Sequence, residues 1–465
     1  MSASRADAAA ASERPGAASY GRGARILSIG IASTGALTFA YFSIASHVLG
    51  AVSAKRIDLL WSIMFVTISV IYRPIEQLLS RTIADRRARG HADQSLRVPM
   101  AIQGGFAALF AAVALALRHT LTSGVFNHHE ALYWVLLAGT LAYAASYFAR
   151  GWLAGHEYFA LFGGLVLMES VSRLCFALAV AVSLASGQTF VALGIVAAPC
   201  VSLIVVPAAF ARRGRERRGV AEIEELDAAL AGPGTEGIEE AVAARELTLR
   251  HGSRFAFAVS GVMLSEQTLL NAAVLTVDAT SASRALAGIV FNVLMIARAP
   301  LQLFQAIQTS LLPHLTGLEA TDGHDAFARA IRITILAIAA FAATVALVLL
   351  AVGPFVMKDV LFGQHYDYDR FGLALIGLGM GTHLIAGALN QAALARDQAR
   401  VAAGCWLVAA VAFLGWMVAP VIGDELLRTE VGYAGATTFL VLMLWGVYRR
   451  GAVAGLSRRA GLTRR

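Results

Sequence analysis

The chain has 465 residues, of which 58% are hydrophobic and only 15% charged, with a mean hydropathy of +0.66. Soluble domains sit near roughly 45–50% apolar and 25% charged, so the composition excludes a string of soluble domains and points to lipid as the solvent. The formal charge of +8 is densest at Arg212, Arg213, Arg215, Arg217 and Arg218; in such a chain this marks adhesion to anionic inner-leaflet lipid, and nucleic acid is not an expected partner.

Residues 1–24 are polar and rich in Ala, Ser and Arg, with no apolar core, so they read as a disordered cytoplasmic tail and not as a secretory signal. Apolar runs follow at 26–49, 58–80, 99–117, 131–149, 158–184 and 189–210, then at 255–277, 285–312, 332–353, 371–393, 401–421 and 430–448. Most have about the 17–25 residues a bilayer crossing needs. Backbone groups in hydrocarbon must be satisfied internally, which makes these runs helices. The expected fold is all-α and polytopic, with about twelve transmembrane helices in two six-helix lobes, 25–211 and 255–448. A cytoplasmic linker, 212–254, joins them, and a basic cytoplasmic tail, 449–465, ends the chain. After its basic front the linker turns acidic from Glu222 to Glu240, a solvated composition with one short amphipathic helix expected near 221–231.

Of the 38 basic residues, 28 fall on the tails and one set of alternate loops and 7 on the other set. The positive-inside rule then puts both termini in the cytoplasm of a multi-pass plasma-membrane protein. Cys175, Cys200 and Cys405 all lie within spans and read as small core residues, not as disulfides or a metal site.

The two halves carry traces of duplication. Ala149 to Gly164 (ARGWLAGHEYFALFGG) aligns with Leu389 to Gly404 (LNQAALARDQARVAAG) at an offset of 240, each pairing a small-residue helix end with a charged corner, His156-Glu157 and Arg396-Asp397. The second and eighth spans each set an arginine beside a proline: Arg73-Pro74 and Arg298-Ala299-Pro300. An interior proline removes a backbone hydrogen bond and bends a helix, so Pro74 and Pro300 are candidate kinks at matching places, as hinges or as packing features.

Ionisable groups inside the bilayer cost roughly 2.5–3.5 kcal/mol each on insertion scales, so each one present asks for a role. Arg73 and Arg298 fall in the cytoplasmic half of their spans, and guanidinium forks facing a shared cavity suit an anionic headgroup. Glu76 stands at i+3 from Arg73, placed to neutralise it within the helix. Glu169 and Arg173, at i and i+4, read as a structural ion pair. Glu266, beside Gln267 and one turn from Asn271, is either the distant partner of Arg298 or a protonatable coupling acid. Gln302, one turn beyond Arg298, joins Asn271 as a candidate substrate contact.

No phosphate-binding G-x-x-x-x-G-K-[ST] loop is present, Asp367-Tyr368-Asp369 and His128-His129 read as hydrated loop groups, and no set of nucleophile, base and orienting group can be assembled. No enzyme activity, cofactor or metal is expected.

Three stretches, ARGWLAGHEYFALFGGLVLMESVSRL at 149–174, APLQLFQAIQTSLLPHLTGLEATDGHDAF at 299–327 and VLFGQHYDYDRFGLALIGLGMG at 360–381, resemble the MOP exporter superfamily and within it the bacterial polysaccharide flippases. The resemblance implies two lobes meeting in a V, as in MATE transporters, and rocking around a cleft lined by the first, second, seventh and eighth spans. It implies a cargo of undecaprenyl-pyrophosphate-linked sugar, met by cationic residues at the positions of Arg73 and Arg298. Membrane lipids and polysaccharide polymerase or glycosyltransferases are the implied partners. The drug-antiporter branch often uses an acid in the first span; residues 26–49 have none, whereas Glu266 fits a seventh-span acid found in that branch. The stretch TIADRRARG at 82–90 also resembles a loop of the major facilitator transporters, without its leading glycine.

Overall fold

A computed structural model gives the architecture of residues 29–30, 33–38, 40–45, 47–49, 51–88, 96–211, 249–280, 284–321, 324–358, 368–419 and 421–462. The N-terminal tail, most of the linker and its expected 221–231 helix lie outside these residues. In the first span, residues 33–38, 40–45 and 47–49 are helical. After it come α1 (Ala51–Ile71), α2 (Arg73–Ala88), α3 (Arg97–Ala116), α4 (Glu130–Gly155), α5 (Phe159–Ala181) and α6 (Gln188–Ser202). The second half holds α7 (Leu249–Thr280), α8 (Arg284–Ala320), α9 (His324–Phe355), α10 (Arg370–Ala395), α11 (Ala399–Val418) and α12 (Glu425–Leu462). Every expected span after the first contains a helix, and nine of the described helices are long and apolar enough to cross a membrane. Two boundaries move: α7 starts at Leu249, inside the expected linker, and α12 continues to Leu462, through most of the expected tail.

The second span is two helices. Tyr72 closes α1 by donating its N–H to Ile68 O at 2.9 Å, and its own carbonyl then receives the N–H groups of Ile75 and Glu76, opening α2. Pro74 lacks an N–H to continue the α1 ladder but fits the first turn of a new helix, so the break falls one residue before Arg73. At Pro300 the chain does not divide in this way: α8 is helical from Arg284 through Pro300 and Pro313 to Ala320.

The duplication is visible in the element boundaries. Shifting α4, Glu130–Gly155, by 240 gives Arg370–Ala395, the bounds of α10, and Phe159, the start of α5, shifts onto Ala399, the start of α11. The corners repeat as well, with Glu157 at φ 59° and Asp397 at φ 61°. In one, the N–H groups of His156, Glu157 and Tyr158 bond to the carbonyls of Trp152, Ala154 and Leu153; in the other, those of Arg396, Asp397 and Gln398 bond to Ala392, Leu394 and Ala393. Packing follows suit: α2 lies on α4 and α4 on α6 in the first lobe, as α8 lies on α10 and α10 on α12 in the second. Asp369 of the Asp367-Tyr368-Asp369 stretch caps α10 by accepting the Gly372 N–H at 2.8 Å, while Asp367 lies outside the described residues.

Candidate functional site

Gly151 and Gly155 on α4 form a small-xxx-small face, the kind that lets membrane helices approach backbone to backbone. A Cβ on Gly151 would come within 2.8 Å of the Glu76 carbonyl oxygen, and one on Gly155 would collide with Ile83 at 2.6 Å. This contact brings Arg150, next to Gly151, against the start of α2. Its Nη2 donates to Glu169 Oε2 and its guanidinium lies 4.5 Å from the Tyr147 ring centroid. Glu169 also accepts from Ser146 and, at 3.4 Å, from Ser202.

The expected Glu169–Arg173 pair is therefore corrected: the partner of Glu169 is Arg150. Helical side chains lean toward the N-terminus of their own helix. Arg173 accordingly reaches Ser170 at 3.1 Å and Thr38 of the first span at 3.3 Å, with its guanidinium 4.3 Å from the Trp61 ring centroid. The apolar run ends at Ala149, which leaves Arg150 looking like a loop residue in one dimension. The signal that places it inside is the glycine pair that follows it.

Glu76 is buried and no described carboxylate–guanidinium pair within 4 Å includes it, so it does not neutralise Arg73 by direct contact. It lies in the field of Arg150 first and Arg73 second. Glu266, buried on α7, has Arg73 as the charge acting on it. Six charges of alternating sign thus run through the protein: Glu266, Arg73, Glu76, Arg150, Glu169 and Arg173. Their formal sum is zero, which is how a low-dielectric interior tolerates them. Tyr72, Tyr147 and Tyr143 form a ring ladder alongside, with centroids 6.4 and 6.3 Å apart.

Arg73 also stands where the lobes meet. Its Nη2 donates to Gln308 Oε1 on α8 at 3.3 Å. Between α2 and α8, a gap lined by Arg73, Glu76, Gln77, Ser80, Gln308, Thr309 and Leu312 has about 10 Å³ of room, no more than a water fills. Past this gap, Arg81 Nη1 meets Asp397 Oδ1 at 3.0 Å across the lobe boundary, and His251 Nε2, on α7 of the same half as Asp397, meets the same oxygen at 3.4 Å. On the pseudo-equivalent side, His314 of α8 lies in the field of Glu157. The lobes are closed at the end that carries the basic loops.

Among the other expected contacts, Asn271 turns back on its own helix, donating to the Gln267 carbonyl at 2.8 Å. The side chains of Arg298 and Gln302 lie outside the described residues, so the expected Arg73–Arg298 pairing has only its Arg73 half in view. Gln308 escapes a reading of the sequence, since a glutamine on an apolar helix carries no charge to draw attention.

Neither a protein-family model nor a curated protein matches the chain. Solved structures match along nearly its whole length. The Vibrio cholerae MATE transporter VcmN in its bent form is 17% identical, with a TM-score of 0.71 over 94% of this chain and 98% of that one. A MOP superfamily transporter from Pyrococcus furiosus is 14% identical, with a TM-score of 0.66 over 94% and 96%. The eukaryotic MATE transporter AtDTX14 is 12% identical, with a TM-score of 0.68 over 95% and 98%. Identities this low speak for architecture: the chain is an all-α, multi-pass membrane protein with the fold of the MATE transporters of the MOP superfamily.

Proposed function

We propose that the protein is a transporter of the bacterial inner membrane that flips undecaprenyl-pyrophosphate-linked oligosaccharide by alternating access, for cell-surface polysaccharide assembly. The observation that carries this reading is the position of Arg73. Its guanidinium sits at a helix break on the wall between the lobes, and the partner it takes from the other lobe is the neutral amide of Gln308. A phosphate can take two parallel N–H bonds from the guanidinium fork and carries the opposite charge, whereas the amide oxygen is one neutral acceptor, so a pyrophosphate entering between parted lobes outcompetes that amide. Gln308 then acts as a placeholder that receives Arg73 again once the anion has left. Glu266 and Glu76 flank the guanidinium and limit its cost in the empty, closed protein. On this reading Arg298, a second arginine of α8's sequence, is the expected further cation.

Glu266 favours a second reading, a MATE-type drug antiporter, because it offers a carboxylate on the seventh helix to a cationic drug or a proton. The Pyrococcus furiosus neighbour is described as having a binding pocket of reversed polarity and a different function. The charge of the pocket, more than the fold, is the variable that separates cargoes on this scaffold.

Purified protein in vesicles with a fluorescent lipid-linked sugar, quenched from one side, tests the two readings. Flipping by the parent protein that is lost in Arg73→Ala and in Arg298→Ala is the expected result. Movement of a cationic dye that depends on Glu266, with no movement of the lipid-linked sugar, overturns the flippase reading in favour of the antiporter.

A further inference from the structure

A groove of about 570 Å³ runs along the outer face of the first lobe, between α3, α4 and the stretch that follows α6. One wall is the stripe Met100, Gln103, Gly104 and Ala107, at the i, i+3, i+4, i+7 spacing of a single α3 face. The opposite wall is an α4 face rich in alanine, Ala144, Ala145 and Ala149 among them. Facing stripes of small residues ordinarily draw membrane helices together. Here they stay apart: a Cβ added to Gly104 would meet nothing within 4 Å. The Gln103 side chain donates across to the Ala144 carbonyl and fixes the spacing of the two walls.

The length of the groove indicates its occupant. Its lining runs from Leu96, just before α3, to Ala107 and from Leu141 to Leu153 on α4. Eleven residues at about 1.5 Å each make roughly 16 Å, close to half of a hydrocarbon core of about 30 Å, so the groove spans one leaflet. At the basic-loop end, Trp152 and Phe210 pack with ring centroids 5.2 Å apart and close it. Arg97 follows Leu96 at that rim, and Arg87 of α2 donates at 2.8 Å to the carbonyl of His156, one helical turn beyond Trp152.

We propose that this groove seats one hydrocarbon chain of a resident anionic phospholipid in the leaflet on the basic-loop side, its phosphate at the Arg97 rim. Apolar surface left facing a void forfeits its dispersion contacts, and a flexible chain fills an irregular trough where a helix does not fit. The occupant is distinct from any cargo between the lobes, because α3 is the partition. Its other face, through Val98, Ile102 and Phe106, packs on Gly252 and Phe257 of α7, between the groove and the lobe boundary. The proposal depends on the membrane location of the fold and not on the cargo.

Native mass spectrometry of the full chain released from mild detergent is the test, together with melting curves in phosphatidylglycerol or phosphatidylcholine nanodiscs of equal chain length. The expected results are one retained phospholipid per chain and a higher melting temperature in phosphatidylglycerol. Arg97→Gln should remove the phosphatidylglycerol preference. Gly104→Leu combined with Ala145→Leu should remove the retained lipid. Should the filled variant fail to fold, a phospholipid with a photoreactive group at its chain end, applied to the unaltered protein, is expected to label the 96–107 and 141–153 stretches. A chain released without lipid, a second copy of the protein in place of lipid, or labelling spread evenly over the lipid-facing helices overturns the proposal.

Discussion

Taking Arg150 away would strand the Glu169 carboxylate among Ser146, Ser202 and apolar helix faces, with two hydroxyls in place of a guanidinium. Breaking a buried pair from one side typically costs about 3–5 kcal/mol, whereas replacing both partners by apolar residues of similar volume is often neutral. Arg150→Met should therefore lower the melting temperature sharply, and Arg150→Met with Glu169→Leu should recover most of the loss. If the single variant melts like the parent, the pair does not hold α4 to α5. The same residues show what one-dimensional spacing can and cannot predict. Glu169 and Arg173 satisfy the i, i+4 rule, but such pairs contribute only about 0.2–0.5 kcal/mol on a helix. A glycine-mediated approach of two helices overrides that term, and sequence distance gives no hint that Arg150 and Glu169 will share a buried site.

Elements were more legible than their partners. Apolar runs predicted where α3 to α6 and α9 to α12 lie because lipid imposes a length and leaves helices as the open-ended solution. The two prolines differ in setting: Pro74 stands at the start of α2, just after the break from α1, and Pro300 lies inside the single helix α8. One residue of the charged corners, Asp397, makes a cross-lobe contact. Arg81–Asp397 is partly exposed, with side chains at 17% and 48%. Pairs of that kind contribute about 0.2–1 kcal/mol, enough to shift a two-state population up to about fivefold without setting it alone. Asp397→Arg should thus raise the fraction of molecules parted at the basic-loop end, read as a longer spin-label distance across the two corners. Adding Arg81→Asp should restore the parent distribution. Equal distributions in all three proteins would remove this contact from the gate.

For the whole molecule, the internal repeat and the asymmetry of charge make separate demands on the membrane. Two lobes with a 240-residue offset between α4 and α10 share a boundary, and that boundary is shut on the side of the basic loops. The 28 to 7 partition of basic residues predicts that this side faces the cytoplasm. A single-cysteine pair settles it in a background where Cys175, Cys200 and Cys405 are replaced. Ser186 lies in the exposed turn between α5 and α6, and Arg400 is exposed at the start of α11, on the opposite side. A membrane-impermeant maleimide should label Ser186→Cys in intact cells and Arg400→Cys only after the cells are permeabilised. The reverse pattern would turn the protein over in the bilayer. It would place the Arg73 gap toward the outside in the shut conformer and leave an anionic headgroup from the cytoplasmic leaflet with no route to Arg73 once the gap opens.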